Sequence, residues 1–104
     1  MKRPARLDDT VVDEWLKKHP LWRREGGHLL REVTTRDYPS AVALLSAQVP
    51  LAERIDHHPV ATLGYCELRL DLWTHDRAGL TQLDLDYAQG FDEVADAFSR
   101  WIVS

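Results

Sequence analysis

The apolar positions change period several times along the chain, and each change marks an element. Val12, Trp15 and Leu16 recur at helical spacing behind Asp8 and Asp9, either of which can cap a helix. His19-Pro20 ends that helix, because the residue before a proline avoids the helical region. Leu21 to Arg24 and His28 to Thr35 read as two short strands around Gly26-Gly27, a pair suited to the positive φ of a tight hairpin turn. A second helix begins at Asp37-Tyr38-Pro39 and carries Tyr38, Val42, Leu45, Val49, Ala52 and Ile55 at spacings of three and four. Pro50 lies inside it. A proline there removes a hydrogen bond and crowds the preceding turn at about 3 kcal/mol, so a kink or an early break near Ala47 is expected, and the segment is read as one bent helix.

From Tyr65 to Trp73 the chain alternates: Cys66, Leu68, Leu70 and Leu72 point one way, Tyr65, Glu67, Arg69, Asp71 and Trp73 the other. A strand with one apolar face belongs in an antiparallel sheet covered by helices on one side and met by water or a second subunit on the other. The last helix starts at Thr81 and carries Leu83, Tyr87, Phe91, Val94, Phe98 and Trp101 along one stripe to the end of the chain. Thr81-Gln82-Leu83-Asp84 fits a capping box. The order helix, strand, strand, helix, strand, strand, helix predicts an α+β fold, a four-stranded antiparallel sheet with three helices packed on one face.

Composition narrows the setting. The 104 residues suit a single domain spanning residues 1–104. With 13 basic and 17 acidic residues the net charge is -4, and the basic residues are spread out, which gives nucleic acid no footprint. No apolar run follows the basic opening MKRPAR or approaches the length of a membrane span, so no membrane partner and a cytoplasmic location are expected. The single cysteine, Cys66, excludes an internal disulfide framework and reads as a small buried side chain rather than a nucleophile.

The chemistry concentrates in histidine. His57 and His58 stand at the entrance of the second hairpin and His75 just past its long strand, and antiparallel pairing brings those ends together. The entering segment is the shorter, so a bend or bulge is expected to bring His75 into register. Adjacent histidines diverge by about 100° on a helix and about 180° on a strand. His57 and His58 are therefore poorly placed to share one ion, and paired Cys-x-x-Cys or His-Glu-x-x-His spacings are missing from the sequence, so no metal is expected. His19 and His28 read as structural. His58, before Pro59, can also act as a cation at a helix C-terminus. A group titrating near neutrality can give and take protons, so several at one end of a sheet suit acid-base chemistry.

Together, Glu53 with His57-His58-Pro59, then Tyr65, then Thr74-His75 with Gly79-Leu80-Thr81 and Asp84, resemble the pterin-4a-carbinolamine dehydratase family. The two motifs lie about seventeen residues apart, and the likeness extends through Trp22 and Asp37-Tyr38. The resemblance implies the same fold, assembly into homodimers or homotetramers, no cofactor, and a pterin as small-molecule substrate. It implies catalytic roles for His57, His58 and His75 and supporting roles for Glu53, Asp84, Pro59 and Thr74, with Gly79, Leu80 and Thr81 keeping the loop's shape. Asp84 also reads as a helix cap and Glu53 as a solvated carboxylate.

The implied reaction is loss of water from a 4a-hydroxytetrahydropterin to give a quinonoid dihydropterin, a lyase step in cofactor recycling. His57 and His75 would transfer protons, and His58 would hold the ring or the leaving hydroxyl. The chain departs from the family at Ala61, where a tryptophan is common, and at Pro50; Trp73 is a candidate to refill the space at Ala61. These departures sustain an alternative, a binding or assembly module on the same fold, since the family includes dimerisation cofactors of a transcription factor and assembly chaperones. A metal-dependent hydrolase fails on ligand spacing.

Overall fold

The computed structural model describes residues 4–104; residues 1–3, which open the basic segment MKRPAR, lie outside the described residues. The elements run α1 (Asp9–Lys18), β1 (Arg23–Glu25), β2 (His28–Thr34), α2 (Tyr38–Ala47), α3 (Val49–Ile55), β3 (Val60–Leu63), β4 (Glu67–Leu72) and α4 (Gln82–Asp96), with single 3-10 turns at His75–Arg77 and Ser99–Trp101. The strands form one antiparallel sheet in the order β1-β2-β4-β3. This is the α+β arrangement expected from periodicity. No helix among the described residues is long and apolar enough to cross a membrane.

Alternation within the strands sorts the sheet's faces. Leu29 and Val33 of β2 pair with Leu72 and Leu68 of β4, and all four are buried with Leu70 against Val12, Leu44, Leu51, Leu85, Tyr87 and Phe91 from the helices. The other face is charged. Arg23 of β1 and Arg69 of β4 both reach Glu32 of β2, at 2.8 Å and 3.4 Å, and the Arg23 hydrogen bond lowers the Glu32 carboxyl pKa. The β1–β2 hairpin turns on Gly26-Gly27, with Gly26 at φ 60. Its first strand starts two residues later than the expected Leu21 to Arg24 and ends one later, because buried Trp22 is tied into the helical layer.

Several boundaries differ from expectation for identifiable reasons. The second helix is two helices rather than one bent one, broken at Gln48, because Pro50 lacks an amide and its ring crowds the preceding turn. Gln48 is buried and accepts a hydrogen bond from the Tyr87 hydroxyl at 2.7 Å, which fixes the break against α4. Burial raises the Tyr87 pKa, keeping that hydroxyl a donor. The inward side of α2 and α3 is Ala41, Leu44, Leu51 and Ala52, whereas the expected Tyr38 and Val49 are 46% and 49% exposed. α4 stops at Asp96, and residues beyond it turn back to pair with the end of β2, where the Val103 amide donates to Thr34 O at 2.7 Å. Trp101 consequently lies at the surface. β4 begins at Glu67 instead of Tyr65; a turn closed by the Gly64 amide on Glu67 O leaves Tyr65 80% exposed and Cys66 half-buried rather than buried.

The Arg31–Asp92 ion pair lies inside the helical layer. Arg31 of β2 is buried, with Nη1 2.5 Å from Asp92 Oδ1 of α4, and the Trp22 indole donates to the same oxygen at 2.9 Å. Burial lowers the Arg31 pKa, against the fields of Asp92 and Asp96. Asp92→Ala would strip the buried guanidinium of its hydrogen-bonded carboxylate and leave it the field of Asp96 alone. We expect it to lower the unfolding free energy by about 3 kcal/mol, read as a lower urea midpoint at unchanged slope.

Candidate active site

The end of α3 separates two neighbouring histidines. Asp56 adopts the left-handed conformation (φ 56, ψ 46), its amide bonded to Ala52 O and Glu53 O, so the chain reverses there. His57 follows and turns inward, 7% exposed, with Nε2 2.6 Å from Asp84 Oδ1. His58 turns outward, with Nε2 2.6 Å from Glu53 Oε2, and both side chains of this pair are more than half exposed. The divergence argued from their adjacency is realised: each histidine has its own carboxylate.

Asp84 organises the buried side. It is fully buried at the start of α4, where Oδ2 accepts from the Thr81 amide at 2.9 Å and from the Thr74 hydroxyl at 2.8 Å, while Thr81 Oγ1 accepts from the Leu83 amide. Thr74 spends its proton on Asp84, so the Thr81 hydroxyl is the donor in the 2.9 Å contact between the two threonines. The expected capping box is present, and the carboxylate that closes it also faces His57. Because Asp84 Oδ1 is an acceptor, the His57 proton belongs on Nε2, which leaves Nδ1 for a ligand.

Register brings the third histidine in. Val60 pairs with Asp71 and Leu63 with Leu68; continuing that pairing backwards sets His57 opposite Thr74 and His58 opposite Trp73. The bulge expected from the unequal segment lengths is unnecessary, because β4 starts two residues later than its alternation suggested. His75 is exposed on the 3-10 turn, in a loop closed by the Thr74 amide on Gly79 O at 2.9 Å and by Ala78 in the left-handed region.

Asp56, His57, His58, Trp73, Thr74, His75 and Asp76 line one cleft of about 300 Å³, at the lower end of the range of about 300–1,000 Å³ usual for small-molecule sites. All three predicted histidines and Thr74 line it. Glu53 and Asp84 stand behind His58 and His57, and half-buried Pro59 leads into β3. A larger cavity of about 420 Å³ lies elsewhere, beside the Arg31–Asp92 pair, and holds none of these groups.

Sequence reasoning passed over Asp56 and Asp76, which carry no periodic signal, and took His28 as structural; its ring stacks on Trp73 at 4.1 Å and 1°. Trp73 does not replace bulk at Ala61. Ala61 pairs with Leu70 and shares the helix-covered face, while Trp73 meets His28 across the other face.

The Asp84 network predicts a coupled loss. Asp84→Asn should lower the unfolding free energy by about 2 kcal/mol, since three donors would share one amide oxygen. Nitrogen NMR of His57 should then show a mixture of tautomers in place of the single Nε2-H form.

Known proteins resemble this chain over most of its length. The profile of the family described as "Pterin 4 alpha carbinolamine dehydratase" matches residues 5–94. A protein of Natronomonas pharaonis is 41% identical over 92 residues, covering 86% of this chain and all of that one. Another, of Metallosphaera sedula, is 38% identical over 89 residues, covering 86% of this chain and 93% of the relative. The names of both place them in the same dehydratase family. A crystal structure of a transcriptional coactivator/pterin dehydratase from Brucella melitensis superposes with a TM-score of 0.82 at 26% identity, covering 86% of this chain and 98% of that one. A pterin dehydratase-like protein described as a RuBisCO assembly factor in the alpha-carboxysome has a TM-score of 0.59 at 20% identity over 71% of this chain and 86% of its own, and is alike in fold. The chain belongs to the pterin-4a-carbinolamine dehydratase family.

Proposed function

We propose that the chain eliminates water from a 4a-hydroxytetrahydropterin to give a quinonoid dihydropterin, with histidines as acid and base. The observation that carries this reading is the convergence of His57, His58 and His75 on one cleft, with His57 held by buried Asp84 at 2.6 Å. In the elimination the C4a–O bond breaks, the hydroxyl leaves as water with a proton from an acid, and the adjacent ring nitrogen gives its proton to a base as the C=N bond forms. His57 is suited to the base role through Nδ1, since Nε2 is committed to Asp84. His75, exposed at the mouth, suits the acid that protonates the leaving hydroxyl. His58, held by Glu53, orients the ring or the departing water. No metal or organic cofactor enters this scheme.

The reading includes a homodimer or homotetramer, supported by the exposed apolar side chains of Tyr38 and Val49 on α2 and α3 and Val60 on β3. A single sedimenting species of monomer mass would remove that element. A cytoplasmic location goes with the unpaired Cys66 thiol.

The rival, a binding or assembly module, draws on the Brucella neighbour, described as a transcriptional coactivator as well as a pterin dehydratase, and on Ala61. The dehydration rate separates the two. Purified wild-type protein should accelerate loss of the 4a-hydroxyl, followed by absorbance, and His57→Ala should lose about 10² to 10⁴ of that rate. A wild-type protein without acceleration would sink the enzymatic reading and favour the rival.

A further inference from the structure

Most groups that line the histidine cleft are polar: Asp56, His57, His58, Thr74, His75 and Asp76 can hold a ligand by its donors and acceptors. Trp73 offers the remaining wall, a flat apolar one, and two imidazoles pack against its ring. His28 lies parallel to it at 4.1 Å, and His75 meets it at 4.4 Å with a tilt of 50°. His28 is held in turn, with Nδ1 2.8 Å from Asp71 Oδ1 on the neighbouring strand, an ion-pair distance at an oxygen that has no aligned hydrogen bond. Three segments thus support one indole: the start of β2, the end of β4 and the turn that carries His75.

We infer that Trp73 is the specificity-determining wall of the cleft, the surface against which the flat fused ring of the pterin lies, and that His28 with Asp71 positions that wall. This deepens the dehydratase reading and rests on it. The physical case is one of complementary surfaces. Hydrogen bonds from the histidines and aspartates can orient a heterocycle's edge, but they give its face no favourable place, whereas a rigid indole buries that face at little entropic cost. A ring immobilised by stacking on His28 is organised before the ligand arrives. The contact with His75 also sets the distance between the wall and a proton-transferring group, so ring placement and proton transfer share one support.

The test compares Trp73→Phe, which keeps a flat ring, with Trp73→Leu, which keeps apolar bulk without one, and His28→Phe with His28→Ala. Fully oxidised biopterin, which has no 4a-hydroxyl to lose, serves as the binding probe by calorimetry, beside KM and kcat for dehydration. Trp73→Leu should weaken biopterin binding and raise KM about tenfold, the scale of one base–aromatic stack, while Trp73→Phe stays within about threefold of wild type. His28→Ala should show a smaller rise in KM that His28→Phe restores. Binding by Trp73→Leu as tight as wild type, or a loss confined to kcat, would overturn the wall and leave Trp73 as packing for His75. A wild type that binds biopterin without dehydrating its substrate would end the dehydratase reading, while the same dissociation constants still decide the wall. If the wild type neither dehydrates nor binds, both readings fall.

Discussion

A buried carboxylate is tolerable only where donors surround it, and Asp84 meets that condition by joining three parts of the chain. Its oxygens take the Thr81 amide at the start of α4, the Thr74 hydroxyl at the end of the sheet, and the His57 ring just past α3. Each donor serves its own segment as well: the amide is one a helix start leaves orphaned, the hydroxyl anchors the loop that carries His75, and the imidazole gains a defined tautomer. Helix start, loop and histidine must therefore arrive together. The cleft exists where they meet because one polar demand is satisfied there three times over.

Packing farther away sets how well that meeting is made. α3 ends two residues before His57 and Asp84 lies in the first turn of α4, so the approach of these two helices bears on the distance between the groups. Gly90 permits it: a Cβ there would stand 2.6 Å from Leu51 Cδ1. The break at Gln48, held by the Tyr87 hydroxyl, frees α3 from the direction of α2. Pro50, a departure from the family's pattern by sequence, is thereby part of how α3 is aimed at α4.

Much of this was legible from residue order. Alternation in Leu68, Leu70 and Leu72 marked the central strand, Thr81 with Asp84 marked the cap, and the adjacency of His57 and His58 implied that they diverge. What escaped had physical causes. The run from Ala41 to Leu45 is apolar throughout, so its period does not select a buried side, and contact with the sheet chose Ala41 and Leu44. Gln48 finds its partner 39 residues away, and nothing local distinguishes it from a surface glutamine. His28 looked ordinary because its significance comes through the ring of Trp73, across strands remote in sequence. The alternation at Tyr65 and Cys66 was real but belonged to a turn, since a period of two cannot tell a strand from the tight reversal that feeds it.

The left-handed residue at Asp56 bears on how this chain can vary in length. Between it and Pro59 the backbone has one way to send His57 inward and His58 outward, fixed at one end by the reversed turn and at the other by the proline ring. Loops elsewhere on the surface absorb an extra residue by bulging into water. Here a one-residue insertion or deletion would exchange the surroundings of the two imidazoles, putting in solvent the ring that belongs against Asp84 and burying the other without its glutamate. The two histidines are identical in type but not interchangeable, and the length of this short stretch is what keeps them apart.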